Sequence, residues 1–373
     1  MNLSVVIPCL NEEETLGACI VKCLNAFKRL GLEGKAEVII ADNGSTDDSI
    51  KIAINSGATV INVKKKGYGS ALINGIKVAK GKYIIMGDAD NSYDFNELDN
   101  FYLKLLDGND LVQGCRFSIG GGKIEKEAMP FLHKYFGNPF FSFISRFFFS
   151  LPFNDVYCGY RGFDKNKFLK LNHFSNGMVF AIENLIKFNI AKFKCAEIPI
   201  TLHKDGRIKN KSHLNTISDG WKTLKFLLIA CPKWLYYIPS AIFFFISLFL
   251  SINLFAESTT SDDFIKLNKI NSTFIYFLLS FQVFMFGIFS SLMSIKLNLS
   301  QSSFIKYFFK VFKLRYAFFI SLFIFIVVFL EKIFFDIIYI DPLYFDTILN
   351  FLIFFGVILV ANSLFISLLT IDE

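Results

Sequence analysis

The chain places three aspartates within seven residues, in the stretch GDADNSYDF that spans residues 87–95. Asp88, Asp90 and Asp94 follow directly after the apolar run 83–86. Carboxylates at this density repel one another, so their proximity requires an explanation. Three interpretations are open: a calcium loop, a solvated turn and a catalytic metal site.

The spacing of these acids argues against calcium. An EF-hand loop needs glycine at position six and glutamate at position twelve, but a count from Asp88 puts Tyr93 and Asp99 there. Asp88 and Asp90 stand at i and i+2 after an extended segment, which points both carboxylates to the same side. Mg²⁺ or Mn²⁺ suits such a pair, because these ions bind a few carboxylates together with phosphate oxygens. The pattern therefore favours a catalytic metal site over a solvated turn.

The elements that must position these acids follow from the pattern of the first 235 residues. Short apolar runs predict strands at 3–8, 36–42, 59–63 and 82–90, and amphipathic segments between them predict helices, the first within 11–27. This alternation predicts an α/β fold with a mostly parallel, doubly wound sheet. Ligands bind at the carboxyl ends of such strands, where three polar clusters converge: 8–12, 42–44 and 88–90.

Long apolar blocks begin after residue 235. The blocks 238–255, 274–295 and 348–369 are 18 to 22 residues long and carry no charge, which is enough to cross a hydrocarbon core of about 30 Å. A fourth block begins at residue 316 and reaches this length only if it continues past Glu331 and Lys332 to residue 335. We therefore predict two domains, 1–235 and 236–373, with four spans in the second.

Basic residues in the loops predict the orientation in the membrane. The second loop contains five basic residues and no acid: Lys296, Lys306, Lys310, Lys313 and Arg315. The first and third loops are richer in acids. The positive-inside rule then places both termini and the first 235 residues in the cytoplasm, at the plasma (inner) membrane. The amino-terminal apolar run is too short for a signal peptide and lacks a basic region before it. This also predicts that the first 235 residues stay in the cytoplasm.

Other compositional features exclude several classes of site and partner. The seven cysteines lie at or before Cys231 without a Cys-x-x-Cys pair, and the four histidines lack zinc-ligand spacing. We expect reduced cysteines that pack in the core. The net charge of +7 suits a protein at a membrane surface. No recognition motif accompanies it, so we expect no nucleic-acid partner.

Eight segments, in this order along 3–228, carry a resemblance to family 2 glycosyltransferases: VVIPCLNEEETL, ADNGSTDDS, GYGSALINGI, GDADNSYDF, VQGCRF, DVYCGYRGF, NGMVFAIENL and DGRIKNKSHLNTISDGWKTLKFLL. Within that family the chain is similar to the polyprenyl-phosphate (dolichol-phosphate) hexosyltransferases. The resemblance implies a Rossmann-like nucleotide-sugar fold of GT-A type, a nucleoside-diphosphate sugar as donor, polyprenyl phosphate as acceptor, and Mg²⁺ or Mn²⁺ as cofactor.

The resemblance also implies roles for single residues, by their position in these motifs. The nucleoside would be held by Pro8, Asn11, Glu12 and Asp42. Asn43 stands where many relatives have a second aspartate, so contact with the base or ribose rests on Asp42. The nucleotide would lie near Gly67 and Gly69, although a tight turn before a helix is an equal explanation of these glycines. Metal and diphosphate would be bound by Asp88 and Asp90, and Ala89 between them would contact the nucleotide sugar.

The remaining implied residues surround the sugar, the acceptor and the closing loop. The sugar and acceptor phosphate would contact Arg116 and Asp155, the latter as an orienting group or as a base. Glu183 would line the donor pocket. A loop that closes over the diphosphates would carry Arg207, Ser212 and His213. Structural roles stay open for these residues: surface ion pairs for the arginines, a cap of the following turn for Asp155, a capping or packing role for His213, and a solvated helix face for Glu183.

A lipid phosphate is already an anion near neutral pH, so the implied reaction needs little base catalysis. We expect a single in-line displacement, inverting at the anomeric carbon, with metal and Arg207 stabilising the leaving group and Arg116 orienting the acceptor. UDP-glucose is the favoured donor and GDP-mannose the next.

The aromatic segment 131–153 and the segment 218–235 are predicted interfacial helices.

Rival interpretations come from other functional classes. A processive polysaccharide synthase would carry a Gln-x-x-Arg-Trp motif. The chain has two tryptophans, and Gln-x-x-Arg precedes neither Trp221 nor Trp234. A membrane enzyme that extends a glycan or glycolipid, and a non-catalytic nucleotide-sugar-binding protein, remain alternatives. A transporter is disfavoured because no ionisable residue lies centrally in the predicted spans. The sequence leaves self-association into a homo-oligomer open.

Overall fold

The computed structural model describes residues 1–208, 216–256, 263–299, 307, 314–333 and 342–369. The chain divides into two compact units, Met1–Leu227 and Leu228–Glu373. The sequence-based division at residue 235 concerns the start of the membrane part and stays a prediction.

The first four predicted strands are all present, but the fourth ends at Met86 instead of residue 90, because residues 89–90 form a turn. They are β1 (Leu3–Cys9), β2 (Ala36–Asp42), β3 (Thr59–Asn62) and β4 (Tyr83–Met86). β1 pairs in parallel with both β2 and β4, and β2 pairs in parallel with β3. Three helices connect them: α1 (Leu16–Arg29), α2 (Ser49–Asn55) and α3 (Tyr68–Val78). β1, β2 and β4 are mainly apolar and largely buried because helices cover a parallel sheet on both faces, whereas β3 at the sheet edge is partly exposed.

The first helix begins later than the sequence predicts. Asn11 has a φ of 58°, in the left-handed region, and the backbone N–H of Glu12 donates to the Ser49 hydroxyl at 2.8 Å. A turn therefore separates β1 from α1, with the Leu16 N–H donating to the Glu12 carbonyl at 3.0 Å. The acids of residues 12–14 therefore lie in a loop at the sheet edge and not in the first turn of the helix.

The rest of the unit completes a mixed sheet. The elements are α4 (Leu98–Leu106), β5 (Leu111–Cys115), β6 (Lys123–Ile124), α5 (Asn138–Phe149), β7 (Arg161–Asp164), α6 (Lys165–Lys170), α7 (Phe180–Ile190), β8 (Cys195–Pro199), β9 (Thr201–Leu202) and α8 (Thr216–Ala230). The seven-stranded sheet has the order β3-β2-β1-β4-β7-β5-β8. β7 is antiparallel to β4 and β5, and the other pairings are parallel.

Helices pack closely on this sheet. Leu3, Val5 and Ile7 of β1 are fully buried in the same core cluster as Leu16 and Ile20 of α1. A Cβ at Gly75 of α3 would lie 2.5 Å from the Val6 Cγ1 atom, so glycine there allows α3 to approach β1 closely. The predicted α/β fold with a mostly parallel sheet is confirmed.

The second unit consists of helices. They are α9 (Ile238–Ala256), α10 (Asp263–Lys296), α11 (Leu314–Ile333) and α12 (Pro342–Leu369). Three described segments are long and apolar enough to cross a membrane: Lys233–Leu254, Asp263–Lys296 and Asp346–Ser367. The apolar part of α11, Phe319–Leu330, is shorter. Three of the four predicted spans thus coincide with helices that are long and apolar enough to cross a membrane, and all four spans stay predictions.

Polar side chains in these helices bond to neighbouring helices. The Gln282 and Asn362 amides pair, with the Asn362 Nδ2 donating at 3.0 Å to the Gln282 Oε1. The Ser240 and Ser280 hydroxyls each donate to the other residue's carbonyl at 2.9 Å. Such pairing removes unsatisfied polar groups from an apolar environment. Most of the basic second loop and much of the third lie outside the described residues, and the orientation stays a prediction.

Candidate active site

A polar cavity of about 420 Å³ lies where β1 and β4 end. Seven of the residues implied by the motifs line it: Pro8, Glu12, Gly67, Asp88, Ala89, Asp90 and Arg207. The loops that follow parallel strands meet at one sheet edge, which brings these distant segments together.

The Asp88–Asp90 pair has the character of a cation site. Asp88 Oδ1 is buried and accepts no hydrogen bond from the described residues. Burial, with the nearby Asp90 carboxylate adding to it, raises the pKa of Asp88 above its ordinary value. Asp90 Oδ1 accepts from the Ser92 hydroxyl at 2.6 Å. An orphaned buried oxygen beside a second carboxylate fits a divalent cation.

This pair does not form a complete metal site by itself. No group of three or more His, Cys, Asp or Glu side chains that could hold a metal occurs among the residues that the structure describes. Mg²⁺ and Mn²⁺ commonly complete their coordination with phosphate oxygens and water. The donor set at this edge therefore fits an ion that binds together with a phosphorylated ligand.

Arg207 is the cation that faces the acids here. Its Nη1 donates to the Glu12 Oε1 at 3.0 Å, its Nε donates to Asp205 Oδ1 at 2.9 Å, and its Nη2 lies 3.5 Å from the Asp90 Oδ2. The side chain is only 7% exposed. Burial raises the pKa of Glu12 to about 7, against the lowering effect of Arg207. The arrangement places a guanidinium beside the Asp88–Asp90 carboxylate pair.

Asp42, which the motifs assign to the nucleoside, does not line this cavity. The Asp42 carboxylate is 1% exposed and accepts backbone N–H bonds from Gly44 at 3.0 Å and Ser45 at 3.1 Å. The carboxylate supports the loop at residues 43–45 and does not line the cavity. Asn43 lines it instead, and its Nδ2 donates to the Val63 and Lys65 carbonyls. The expected nucleoside contact of Asp42 is therefore corrected to a supporting role.

Asn11 also holds this loop and does not line the cavity. Its Oδ1 accepts from the Thr46 N–H at 2.8 Å, and its own N–H donates to the Ser45 hydroxyl at 3.0 Å. Of the two glycines, only Gly67 lines the cavity. A Cβ at Gly69 would lie 2.2 Å from the Ser175 carbonyl oxygen, so this glycine lets another loop pack on α3. Gly69 is a packing residue, unlike the prediction.

Glu183 does not line the donor pocket either. It is fully buried, and its two carboxylate oxygens accept from the Phe174 N–H at 3.0 Å and the Ser175 N–H at 2.9 Å. The Lys187 ammonium lies 2.8 Å away and is equally buried. This ion pair holds the loop that carries Met178, which lines the cavity. Both the predicted pocket position and its alternative, a solvated helix face, are wrong.

Arg116 and Asp155 form a buried bidentate pair next to the polar cavity. Arg116 Nε donates to Asp155 Oδ2 at 2.6 Å, its Nη2 to Oδ1 at 2.9 Å, and its backbone N–H to Oδ2 at 3.1 Å. Asp155 is fully buried and Arg116 is 7% exposed. Both carboxylate oxygens are therefore occupied by Arg116. The geometry supports Asp155 as an orienting group rather than a base.

A second, mainly apolar cavity of about 250 Å³ is lined by Arg116. Its walls include four apolar or aromatic side chains: Leu132, Phe136, Phe141 and Tyr157. Met178 and Asp219 line both cavities, so the two adjoin. A polar cavity thus meets an apolar one that has a guanidinium in its wall.

Some cavity residues were missed from the sequence, and two predicted ones cannot be placed. Ser212 and His213 lie outside the described residues. Lys66, Asp219 and Lys222 line the polar cavity without having been predicted. Asp219 and Lys222 belong to the segment DGWKTLKF, and their i, i+3 spacing puts both on one face of a helix. That spacing was the available signal, and the charge of Lys66 beside Gly67 was another.

Comparison with known proteins supports a family for the first unit. Residues 4–171 match the sequence profile described as Glycosyl transferase family 2. The chain is 34% identical over 238 residues to the low-salt glycan biosynthesis hexosyltransferase Agl6 of Haloferax volcanii, covering 64% of this chain and 55% of Agl6. It is 29% identical over 199 residues to a dolichyl-phosphate hexose transferase of the same organism, covering 53% of this chain and 82% of that one.

The chain spans about half the length of several curated relatives that it matches. Among solved structures, a mycobacterial protein with 19% identity aligns with a TM-score of 0.50, covering 62% of this chain and 74% of its own. That likeness concerns the fold alone. Residues 4–171 are thus similar to family 2 glycosyltransferases, and the first unit has the α/β fold with a mostly parallel sheet that this resemblance implies.

Proposed function

We propose that the protein transfers one hexose from a nucleoside-diphosphate sugar to polyprenyl phosphate, with inversion at the anomeric carbon. One observation carries the proposal: a polar cavity with paired carboxylates adjoins an apolar cavity that has Arg116 in its wall. The first suits a charged nucleotide and the second suits a phosphate attached to a hydrocarbon. The relative named as a dolichyl-phosphate hexose transferase supports the same acceptor class.

At the donor end, Asp88 and Asp90 would hold Mg²⁺ or Mn²⁺. The ion supplies charge neutralisation for the departing diphosphate. Arg207 and Lys66 line the same cavity and bring two further positive charges to it. Both side chains would stabilise the phosphates through charge-assisted hydrogen bonds, which are the stronger class. Donor binding therefore depends on this chain's own cations as well as on the ion.

At the acceptor end, Arg116 would orient the lipid phosphate. Asp155 holds the guanidinium by two side-chain hydrogen bonds, which fixes the direction in which the remaining N–H groups point. One phosphate oxygen of the acceptor attacks the anomeric carbon. As that bond forms, the bond from this carbon to the diphosphate oxygen breaks, and the nucleoside diphosphate leaves with the electron pair. The acceptor is already an anion, so no protein base is required.

The surface around the acceptor end suits a lipid. Six aromatic side chains of the segment 131–149 are at least half exposed: Phe131, Tyr135, Phe136, Phe140, Phe143 and Phe147. Aromatic side chains with interspersed Lys134 and Arg146 are typical of helices that lie in a membrane surface. We propose that 131–153 and 218–235 lie at the cytoplasmic face of the plasma membrane, where donor and lipid acceptor meet.

The test is a transfer assay with the purified full chain in detergent. The protein is incubated with polyprenyl phosphate, Mg²⁺ or Mn²⁺, and a panel of radiolabelled UDP- and GDP-sugars. We expect UDP-glucose to give a labelled lipid. If UDP-glucose gives none, we expect GDP-mannose to be the donor. The absence of labelled lipid with every donor would refute the proposal, and product on a glycolipid alone would move it to the glycan-extending alternative.

Two aspartate variants from the same acidic stretch sharpen this test. Asp90→Ala removes one proposed metal ligand, and we expect it to abolish transfer. Asp94→Asn is the matched control, because Asp94 caps the short helix at Phe95–Glu97, where its side chain accepts from the Asn96 N–H. We expect this control to keep most activity. Full activity of Asp90→Ala would contradict the proposed metal site.

A further inference from the structure

Asp219 lies where the two cavities adjoin. It lines the polar cavity of Asp88 and Asp90 and also the apolar cavity of Arg116. Among the residues that the structure describes, Asp219 is the one ionisable side chain that lines both cavities. It stands in the first turn of α8, and its side chain is 24% exposed.

The geometry of glycosyl transfer assigns a ligand to this position. An in-line displacement needs the anomeric carbon between the leaving diphosphate oxygen and the attacking phosphate oxygen. With the nucleotide in the polar cavity and the acceptor phosphate at Arg116, the hexose must lie between them. The junction lined by Asp219 and Met178 is that place.

The chemistry of the junction suits a sugar. A carboxylate has two acceptor oxygens and can receive hydrogen bonds from two neighbouring hydroxyl groups. Hydrogen bonds to a charged acceptor are stronger than neutral ones. Met178 offers an adaptable apolar surface for the C–H face of the ring. Lys222, 3.6 Å from the Asp219 Oδ1, lines only the polar cavity and so stands on the phosphate side.

We propose that Asp219 determines donor specificity by accepting hydrogen bonds from hydroxyl groups of the donor hexose. This inference rests on the proposed function. A hexose whose hydroxyl is inverted at the contacted carbon leaves the carboxylate without its partner, and sites built around such hydrogen bonds reject such analogues strongly. Asp219→Asn should therefore weaken binding of the sugar while leaving binding of the bare nucleotide unchanged.

The experiment measures binding by calorimetry on the full chain in detergent with Mn²⁺ present. One ligand set is UDP, UDP-glucose and its epimer UDP-galactose, and the other is GDP, GDP-mannose and its epimer GDP-glucose. For Asp219→Asn we expect the Kd of UDP or GDP to stay within about twofold. The preferred sugar donor should lose about tenfold or more in affinity, and the ratio between epimers should move toward one.

Asp107→Asn is the matched control. Asp107 forms the same kind of i, i+3 ion pair, with Lys104 at 4.0 Å, on an exposed helix end whose residues line neither cavity. This variant removes the same charge and should leave every Kd unchanged.

Three results would overturn the inference. The first is an equal loss of affinity for the bare nucleotide and the sugar donor in Asp219→Asn, which would assign Asp219 to nucleotide binding or to folding. The second is an unchanged epimer ratio. The third is a wild-type protein that binds neither sugar donor more tightly than its nucleotide. Because binding is measured without lipid, a failure of lipid glycosylation is seen separately, in the transfer assay.

Discussion

The buried Arg116–Asp155 pair gives a prediction whose size follows from its geometry. Asp155 is fully buried, and Arg116 directs three hydrogen bonds to its carboxylate, at 2.6, 2.9 and 3.1 Å. Asp155→Leu leaves a guanidinium in an interior site without its counter-charge. Removing one partner of such a pair costs about 3–5 kcal/mol. That is a large part of the roughly 5–15 kcal/mol that stabilises an average domain.

The double variant separates stability from function. Arg116→Met with Asp155→Leu removes both charges, and replacing a buried pair by apolar side chains is often neutral or stabilising. We therefore expect the double variant to regain most of the free energy of unfolding that either single variant loses. It should remain inactive toward polyprenyl phosphate, because the acceptor phosphate has lost its guanidinium.

The assay is urea unfolding of the four proteins in detergent, followed by circular dichroism, with lipid transfer measured in parallel. An exposed pair supplies the control: Lys204 and Glu127 lie 3.0 Å apart with side chains 66% and 64% exposed, so Glu127→Gln should change stability by less than about 1 kcal/mol. Losses that simply add in the double variant would refute the coupling. A stable Asp155→Asn protein with altered pH dependence of transfer would restore the base role of Asp155.

Three further perturbations have distinct expected outcomes. Arg207→Gln should raise the donor KM and lower kcat, by about tenfold or more in kcat/KM, and unchanged initial rates would contradict its diphosphate role. Gly69→Ala should lower the melting temperature, because the new Cβ would lie 2.2 Å from a carbonyl oxygen, whereas at Gly177 nothing lies within 4 Å and Gly177→Ala should not. Burial lowers the pKa of His173 to about 3. The unfolded histidine takes up a proton below about pH 6.5, so stability is lost as the pH falls from there toward 3, by about 2 kcal/mol at pH 5. Melting curves at pH 7 and 5 should show this difference shrink in His173→Asn, and an equal difference would contradict it.

The strands and the acid pair were predictable from the sequence because their signals are local. β1 to β4 are short, mainly apolar segments, and Asp88 and Asp90 follow β4 closely in the sequence. The start of α1 was not predictable, because the positive φ of Asn11 and the contact from Glu12 to the Ser49 hydroxyl join segments far apart in sequence. Local composition shows only that acids are present near a helix start.

The motifs did not predict correctly which way two buried carboxylates point. Glu183 and Asp42 carry the same functional group as Asp88, but their oxygens accept backbone N–H bonds from nearby loops. Whether a carboxylate faces a cavity or a loop depends on how the chain folds back, and residue type does not encode it. Asp219 was missed for the converse reason: it lies in an ordinary amphipathic helix, and only the placement of α8 brings it to the cavities.

The order of the central strands explains how Arg116 and the Asp88–Asp90 pair come together. β7 lies between β4 and β5 and runs antiparallel to both. The loop that enters β7 therefore lies at the same edge as the residues that follow β4 and β5. That loop contacts both: Asp155 holds Arg116, and a Cβ at Gly159 would lie 2.8 Å from the Asp88 Oδ2 atom. A single reversed strand thus brings Arg116 and the Asp88–Asp90 pair to one loop, as the proposed in-line displacement would require.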